Sequence, residues 1–154
     1  MARFAEEFGD RAVLVLRRHI LDRTPARIPP AAAHCVVDAT DVDDVQDLLL
    51  AADVLVTDYS SVAFDFLNTR RPSVFLAPDL DSYRDDVRGF YLDPETDLPG
   101  PVVRTQDDFA RVLAEALDTG AVAGYDLDAL AARFCPCGDG NAAARVVADV
   151  FPVR

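Results

Sequence analysis

The sequence predicts an α/β fold: a parallel sheet with helices on both faces. Three observations predict it. Five short apolar runs are spread along the chain, stretches of helical period lie between them, and proline or glycine marks several of the handovers. At 154 residues the chain has the length of one domain around one core, so residues 1–154 are expected to form a single domain.

The elements follow in order. A polar, helix-like opening (MARFAEEFGD) leads into AVLVL, residues 12–16, which reads as a buried strand. Residues 22–30 are rich in proline and arginine and read as a loop. CVVDA, residues 35–39, is the second strand. DVDDVQDLLLAA carries acids in its first turn and apolar residues at helical spacing, with Thr40 or Asp41 as the expected N-cap. VLVT, residues 54–57, is strand three, and SSVAFDFLNTRR is a helix that Pro72 stops. SVFLA, residues 73–77, is strand four, followed by an Asp-rich loop with a short helical turn that runs to Gly89. Pro99 and Gly100 introduce a short fifth strand in PVVR. In TQDDFARVLAEALDTG, Thr105 and Asp108 have the spacing of a capping box and Gly120 stands at the C-terminal stop. YDLDALAARF and GNAAARVVADVF are two further helices, and no internal repeat is visible.

Composition excludes several classes. The net charge is −12 and all 15 basic residues are arginine, which argues against a nucleic-acid binder that works by phosphate neutralisation. Three cysteines, Cys35, Cys135 and Cys137, are no disulfide framework, and the CPC stretch lacks the second ligand pair of a zinc site, so free thiols are expected and no metal. No apolar run approaches the ~20 residues of a membrane span, and the opening residues lack the apolar core of a secretory signal. A cytoplasmic protein is expected.

In parallel sheets of this kind ligands sit beyond the carboxyl ends of the strands. The informative residues are therefore those just after each run: Arg17–His19, Thr40–Asp41, Asp58–Ser61 and Pro78–Arg88. Ser60 and Ser61 open a helix, where unpaired amides and hydroxyl donors suit a phosphate. The plainer alternative is that Asp58 or one serine simply caps that helix. Arg17 and Arg18 offer forked donors, and His19 at the same kind of position either donates or shuttles a proton or is an ordinary surface residue. His34 has no such company and reads as structural. Asp65, one turn into the helix, either steadies a serine, reaches a hydroxyl of a ligand, or is a solvated carboxylate. Arg88 precedes a glycine that permits unusual backbone angles, a placement that suits an arm closing on an anion. Asp139 and Gly140 read as a turn and a helix start.

These segments together resemble a known family. The string LLLAADVLVTDYSSVAFDF, followed by PSVFL, D-x-x-x-Y-R, RGFYLD and LPGPVV, is similar to the donor-side half of the CDP-glycerol glycerophosphotransferases, the TagB/TagF-like teichoic acid primases and polymerases. LRRHI resembles the family's arginine- and histidine-bearing segment, and DGNAAARVV its closing helix. The resemblance implies a Rossmann-like domain, the C-terminal one of a two-domain GT-B-like architecture, that binds CDP-glycerol as donor substrate and uses no cofactor. It implies that Ser60, Ser61 and Asp65 match the family's serine pair and aspartate, that Arg17 and His19 match its R-x-H, and that Arg88 matches its RGFY arginine. On this reading Ser60, Ser61 and the helix N-terminus hold the diphosphate, Arg17 and Arg88 offset its charge, Arg18 and Gly89 bind substrate beside them, His19 assists the leaving group, and Thr40 and Asp41 lie near the nucleoside. Two departures stand out. Ile20 replaces the family's proline after the histidine, and the acceptor half, with its W-H-G-type segment, is absent from a chain that has no tryptophan. The implied partners are a nucleotide-activated small molecule and a separate acceptor-domain chain, with membrane contact by family analogy alone. The alternatives are a catalytically silent binding module, one fragment of a split enzyme, or a GT-B domain for another CDP-polyol or a UDP-sugar.

Overall fold

The computed structural model describes the chain except residues 20, 21, 23, 84–88, 90, 95 and 152–154. Two compact units divide it, Met1–Asp47 and Leu48–Arg154.

In the first unit a helix, α1 (Ala2–Phe8), precedes β1 (Leu14–Leu16), a 3-10 turn (Pro30–Ala32) and β2 (Val36–Asp38). β1 and β2 pair in parallel with Leu14 opposite Val36 and Leu16 opposite Asp38. Ala32, Cys35 and Val36 are buried, and Phe4, Ala5, Leu14 and Ile28 pack against them. The first strand is not buried on both faces as its apolar run suggests. Strand side chains alternate, and Val15 is 49% and Val37 52% exposed on the face opposite that core.

In the second unit β3 (Leu55–Thr57), β4 (Ser73–Leu76) and β5 (Val102–Val103) form a three-stranded parallel sheet with β4 central. Ser73, Val74 and Phe75 of β4 are buried, as a central strand under helices requires. Val74 and Val103 pack with Val112 of α5 (Gln106–Thr119), and Phe109 and Val122 close over them. α3 (Val62–Leu67) buries Ala63, Phe66 and Leu67. α6 (Leu127–Phe134) follows α5, with Asp126 as its N-cap, and α7 (Ala142–Val150) follows α6.

The ends of the helices show where local chemistry differs from the pattern. α2 (Val45–Ala51) starts later than Thr40 or Asp41, because the Thr40 hydroxyl already donates to Asp38 and it is Asp44 that accepts the Gln46 N–H, at 2.8 Å. α3 ends at Leu67, five residues short of Pro72. The Asn68 amide side chain competes for the Asp65 carbonyl, and Arg70 reverses the chain at φ +60. Arg70 holds that unfavourable conformation by donating to the Leu67 and Asn68 carbonyls and to Asp128 of α6. α5 meets its expectation at both ends: the Asp108 N–H donates to Thr105 Oγ1 at 3.1 Å, and Gly120 adopts φ +69. The cysteines are free, with Cys35 buried and Cys137 exposed. No helix among the described residues is long and apolar enough to cross a membrane.

Thr105→Ala is expected to lower unfolding stability by about 1 kcal/mol through loss of the cap, and Phe66→Ala by about 3–5 kcal/mol through an unfilled cavity. Urea unfolding followed by circular dichroism measures both, and the order of the two losses is the check.

Candidate functional site

The parallel register of β3 and β4 brings their carboxyl ends, Thr57 and Leu76, to one edge of the sheet in the second unit. Asp58–Ser61 leaves that edge after β3. After β4 the chain runs through Asp79 into α4 (Leu80–Ser82), which ends at Tyr83.

The serine turn is small and largely self-satisfied. Asp58 Oδ1 accepts the Ser60 N–H at 3.1 Å, and Ser60 Oγ accepts the Val62 N–H at 3.3 Å. The Phe64 N–H donates to the Ser61 carbonyl at 2.9 Å. Both serines are exposed. Ser61 is the N-cap residue of α3 but its side chain caps nothing, and neither its hydroxyl nor its amide has a partner among the described residues. Ser60 alone meets the capping alternative, through the Val62 N–H, whereas Asp58 closes the turn ahead of the helix; the hydroxyl hydrogens of both serines stay available to a ligand. Six residues make α3 too short for its dipole to add much, so the phosphate-binding capacity of this turn rests on its hydroxyls. Asp65 is exposed, and its carboxylate holds neither serine.

Sequence reasoning missed a cluster beside the serines. The Tyr59 hydroxyl donates to Asp79 Oδ1 at 2.6 Å, and its ring stacks on Tyr83 with centroids 4.1 Å apart and an interplanar angle of 19°. Burial pushes the Tyr59 phenol's pKa up, and the Asp79 hydrogen bond and the Asp79 and Asp58 charges push it further, so it stays a protonated donor. The signal was present as two motif fragments, T-D-Y-S-S and D-x-x-x-Y-R, but nothing in their spacing says that they touch.

In the first unit the residues after β1 and β2 form a second cluster. The Arg17 guanidinium donates to the Val42 carbonyl. The Arg18 backbone N–H donates to Thr40 Oγ1 at 3.3 Å, and its guanidinium lies 3.8 Å from Asp38 and 3.7 Å from Asp22. Arg18 Nε is buried and finds no acceptor among the described residues. The Thr40 hydroxyl and amide both donate to Asp38 Oδ1, at 2.5 and 3.0 Å. His19 and Asp41 are exposed beside them. Arg88 lies outside the described residues. Gly89 follows it at φ +68, and its N–H donates to the Tyr83 carbonyl at 3.3 Å.

The structure thus gathers Arg17, Arg18, His19, Thr40 and Asp41 in one unit, and Ser60, Ser61 and Asp65 in the other. A small pocket lined by Pro72, Ser73, Gly100, Val122 and Tyr125 lies at the amino end of β4, the opposite sheet edge from the serine turn. Among the described residues no group of three His, Cys, Asp or Glu side chains is arranged to hold a metal ion.

Comparison with known proteins gives one consistent result. The family described as CDP-Glycerol:Poly(glycerophosphate) glycerophosphotransferase matches residues 1–152. A teichoic acid glycerol-phosphate transferase of Staphylococcus aureus is 40% identical over 146 residues, which are 95% of this chain and 37% of that protein. A teichoic acid poly(glycerol phosphate) polymerase of Bacillus subtilis is 33% identical over 146 residues, 95% of this chain and 19% of that protein. Among solved structures, a His-to-Asn variant of the wall teichoic acid polymerase TagF soaked with CDPG superposes with a TM-score of 0.77 at 33% identity, covering 97% of this chain and 37% of that one. The chain therefore spans well under half the length of these relatives.

The Thr40 hydroxyl and amide, with Arg18 beside them, hold the Asp38 carboxyl below its ordinary pKa of 3.8. A lowered folded pKa means that this group's stabilisation is complete above the ordinary value and is lost as pH falls through the folded one. Carbon-13 NMR titration of Asp38 is expected to show a midpoint below 3.8, moving upward in Thr40→Ala. An unmoved midpoint would show that Thr40 does not hold this carboxylate.

Proposed function

Because the chain belongs to the CDP-glycerol:poly(glycerophosphate) glycerophosphotransferase family, we propose that it is a donor-binding domain for CDP-glycerol in teichoic-acid-type polymer synthesis. In the reaction, a hydroxyl of a polyol-phosphate acceptor attacks the phosphorus of the glycerol phosphate unit. The new P–O bond forms as the bond to CMP breaks, and the acceptor's proton leaves with a base supplied by the acceptor half. The observation that carries the reading is the pair of exposed serines directly after β3, within the segment most specific to the family.

The residues divide the work as follows. Ser60 and Ser61 donate hydroxyl hydrogens to diphosphate oxygens, bonds strengthened by the ligand's charge. Arg17 and Arg88 offset that charge, and Arg18 and Gly89 bind the donor beside them. His19 steadies or protonates the departing CMP. Thr40 and Asp41 accompany the nucleoside, and Asp65 reaches a ligand hydroxyl. Such groups accelerate phosphoryl transfer by holding the reactants in line and by stabilising charge that develops in the transition state. In the relatives these tasks belong to proteins much longer than this chain, so turnover here requires an acceptor half, whether on the same polypeptide or supplied separately. The chain's acidity, at −12, favours no attraction to anionic lipid, and contact with the inner membrane face is proposed from the family alone.

A second reading is a silent nucleotide-binding module, which the same exposed serines would serve without any transfer. Calorimetric titration of the 154-residue chain with CDP-glycerol, CDP, CMP, another CDP-polyol and a UDP-sugar is expected to show preference for the cytidine diphosphates. Ser60→Ala with Ser61→Ala is expected to cost up to about 1.5–3 kcal/mol per charge-assisted bond lost. No heat with millimolar donor removes the donor reading, and an unchanged affinity in the folded double variant moves the site elsewhere. For activity, glycerol phosphate transfer is expected only when an acceptor half is added. Transfer by this chain alone would overturn the requirement for an acceptor half, and none with the half supplied would favour the silent module.

A further inference from the structure

Tyr59 stands between the end of β3 and the two serines, and its side chain is held at both ends. Its hydroxyl donates to the Asp79 carboxylate at 2.6 Å, and its ring lies 4.1 Å from that of Tyr83 at 19°. Both partners belong to the segment after β4. The Tyr83 N–H donates to the Asp79 carbonyl at 2.9 Å, and Leu80 between them is buried, which fixes this segment to the core. Two exposed serines have almost no packing of their own, and the side-chain bonds within their turn are 3.1 and 3.3 Å long. A charge-assisted bond of 2.6 Å to Asp79 is the strongest constraint at the turn, and it acts on the residue adjacent to Ser60.

We infer that Tyr59, Asp79 and Tyr83 are positioning residues, a clamp that holds the Ser60–Ser61 turn in the orientation that phosphate oxygens require. This deepens the donor reading and rests on it. The clamp touches no reacting atom. It works by cutting the conformational freedom that the turn would otherwise lose on binding. It also explains why a bulky, ring-bearing residue occupies a turn otherwise built from small polar ones. The ring stacks, the hydroxyl bonds, and the backbone that follows is left with few choices. A phenylalanine would keep the stack but lose the bond, and an asparagine at position 79 would keep an acceptor but lose its charge.

The test uses the 154-residue chain with Tyr59→Phe, Asp79→Asn and Tyr83→Leu. Affinity for CDP-glycerol and CDP is measured by calorimetry, melting temperature by circular dichroism, and exchange of the Ser60 and Val62 amides by NMR. Tyr59→Phe and Asp79→Asn are each expected to weaken donor binding roughly three- to tenfold, the size of one net hydrogen bond, with little change in melting temperature. The pair together should be no weaker than either alone, and Tyr59→Phe should add nothing in a chain already carrying Ser60→Ala and Ser61→Ala. Exchange at Ser60 and Val62 should quicken in all three single variants. Unchanged affinity in folded Tyr59→Phe and Asp79→Asn overturns the clamp. So does a Tyr59→Phe loss that persists without the serine hydroxyls, since Tyr59 would then act on its own. If the unmodified chain binds no donor, the donor reading fails separately and exchange decides the clamp: faster amides keep it, unchanged amides overturn it.

Discussion

Parallel pairing of β3 with the buried β4 is the constraint on which the second unit depends. Ser73, Val74 and Phe75 are buried, so β4 cannot slip without exposing core side chains or burying polar ones. The register that results, Leu55 opposite Ser73 and Thr57 opposite Phe75, brings both strands to an end at the same sheet edge. The two connections after those strands must therefore start side by side. Residues 58–61 and 79–83 are separated by about twenty positions in the chain, yet Tyr59 bonds Asp79 at 2.6 Å and stacks on Tyr83. The core thus makes the polar edge possible, with buried Leu80 tying the second connection to it.

The arginines follow a matching economy. In a chain of charge −12 without lysine, cations are scarce, and most described ones serve local acceptors. Arg71 donates to the Leu50 and Ala52 carbonyls at 2.8 and 2.6 Å, closing the end of α2. Arg70 stabilises its own reversed backbone, Arg104 pairs with Asp81, and Arg145 with Asp139. Exposed pairs of this kind add little stability, so their value lies in fixing where loops run. Hydroxyl donors at the serine turn fit such a chain, because they add hydrogen bonds to an anion without adding a cation.

The elements themselves were legible in the sequence. The five strands among the described residues lie inside the apolar runs that predict them, since a short run bounded by turn residues leaves few other options. The α5 caps were equally plain, because Thr105, Asp108 and Gly120 act within one turn of themselves. Local competition was less legible. Thr40 is engaged by Asp38 and yields the α2 cap to Asp44, and α3 stops at Leu67 rather than before Pro72. In the first case a side chain expected to cap is engaged elsewhere, and in the second the Asn68 side chain competes for a helix carbonyl.

The candidate site divides along the same line. The motif around Ser60 and Ser61 and its family likeness are properties of consecutive residues, so the sequence alone determined the family, the α/β class and the serine pair as the place to look. Tertiary structure alone decided that Val15 and Val37 lie on an exposed sheet face, that Ser61 keeps its hydroxyl unengaged while Ser60 caps, and that Tyr59 meets Asp79 and Tyr83. The physical reason is the range of the interactions. Propensity, capping and periodicity act over a few residues and can be read in order, whereas burial and cross-connection bonds depend on which strand lies beside which.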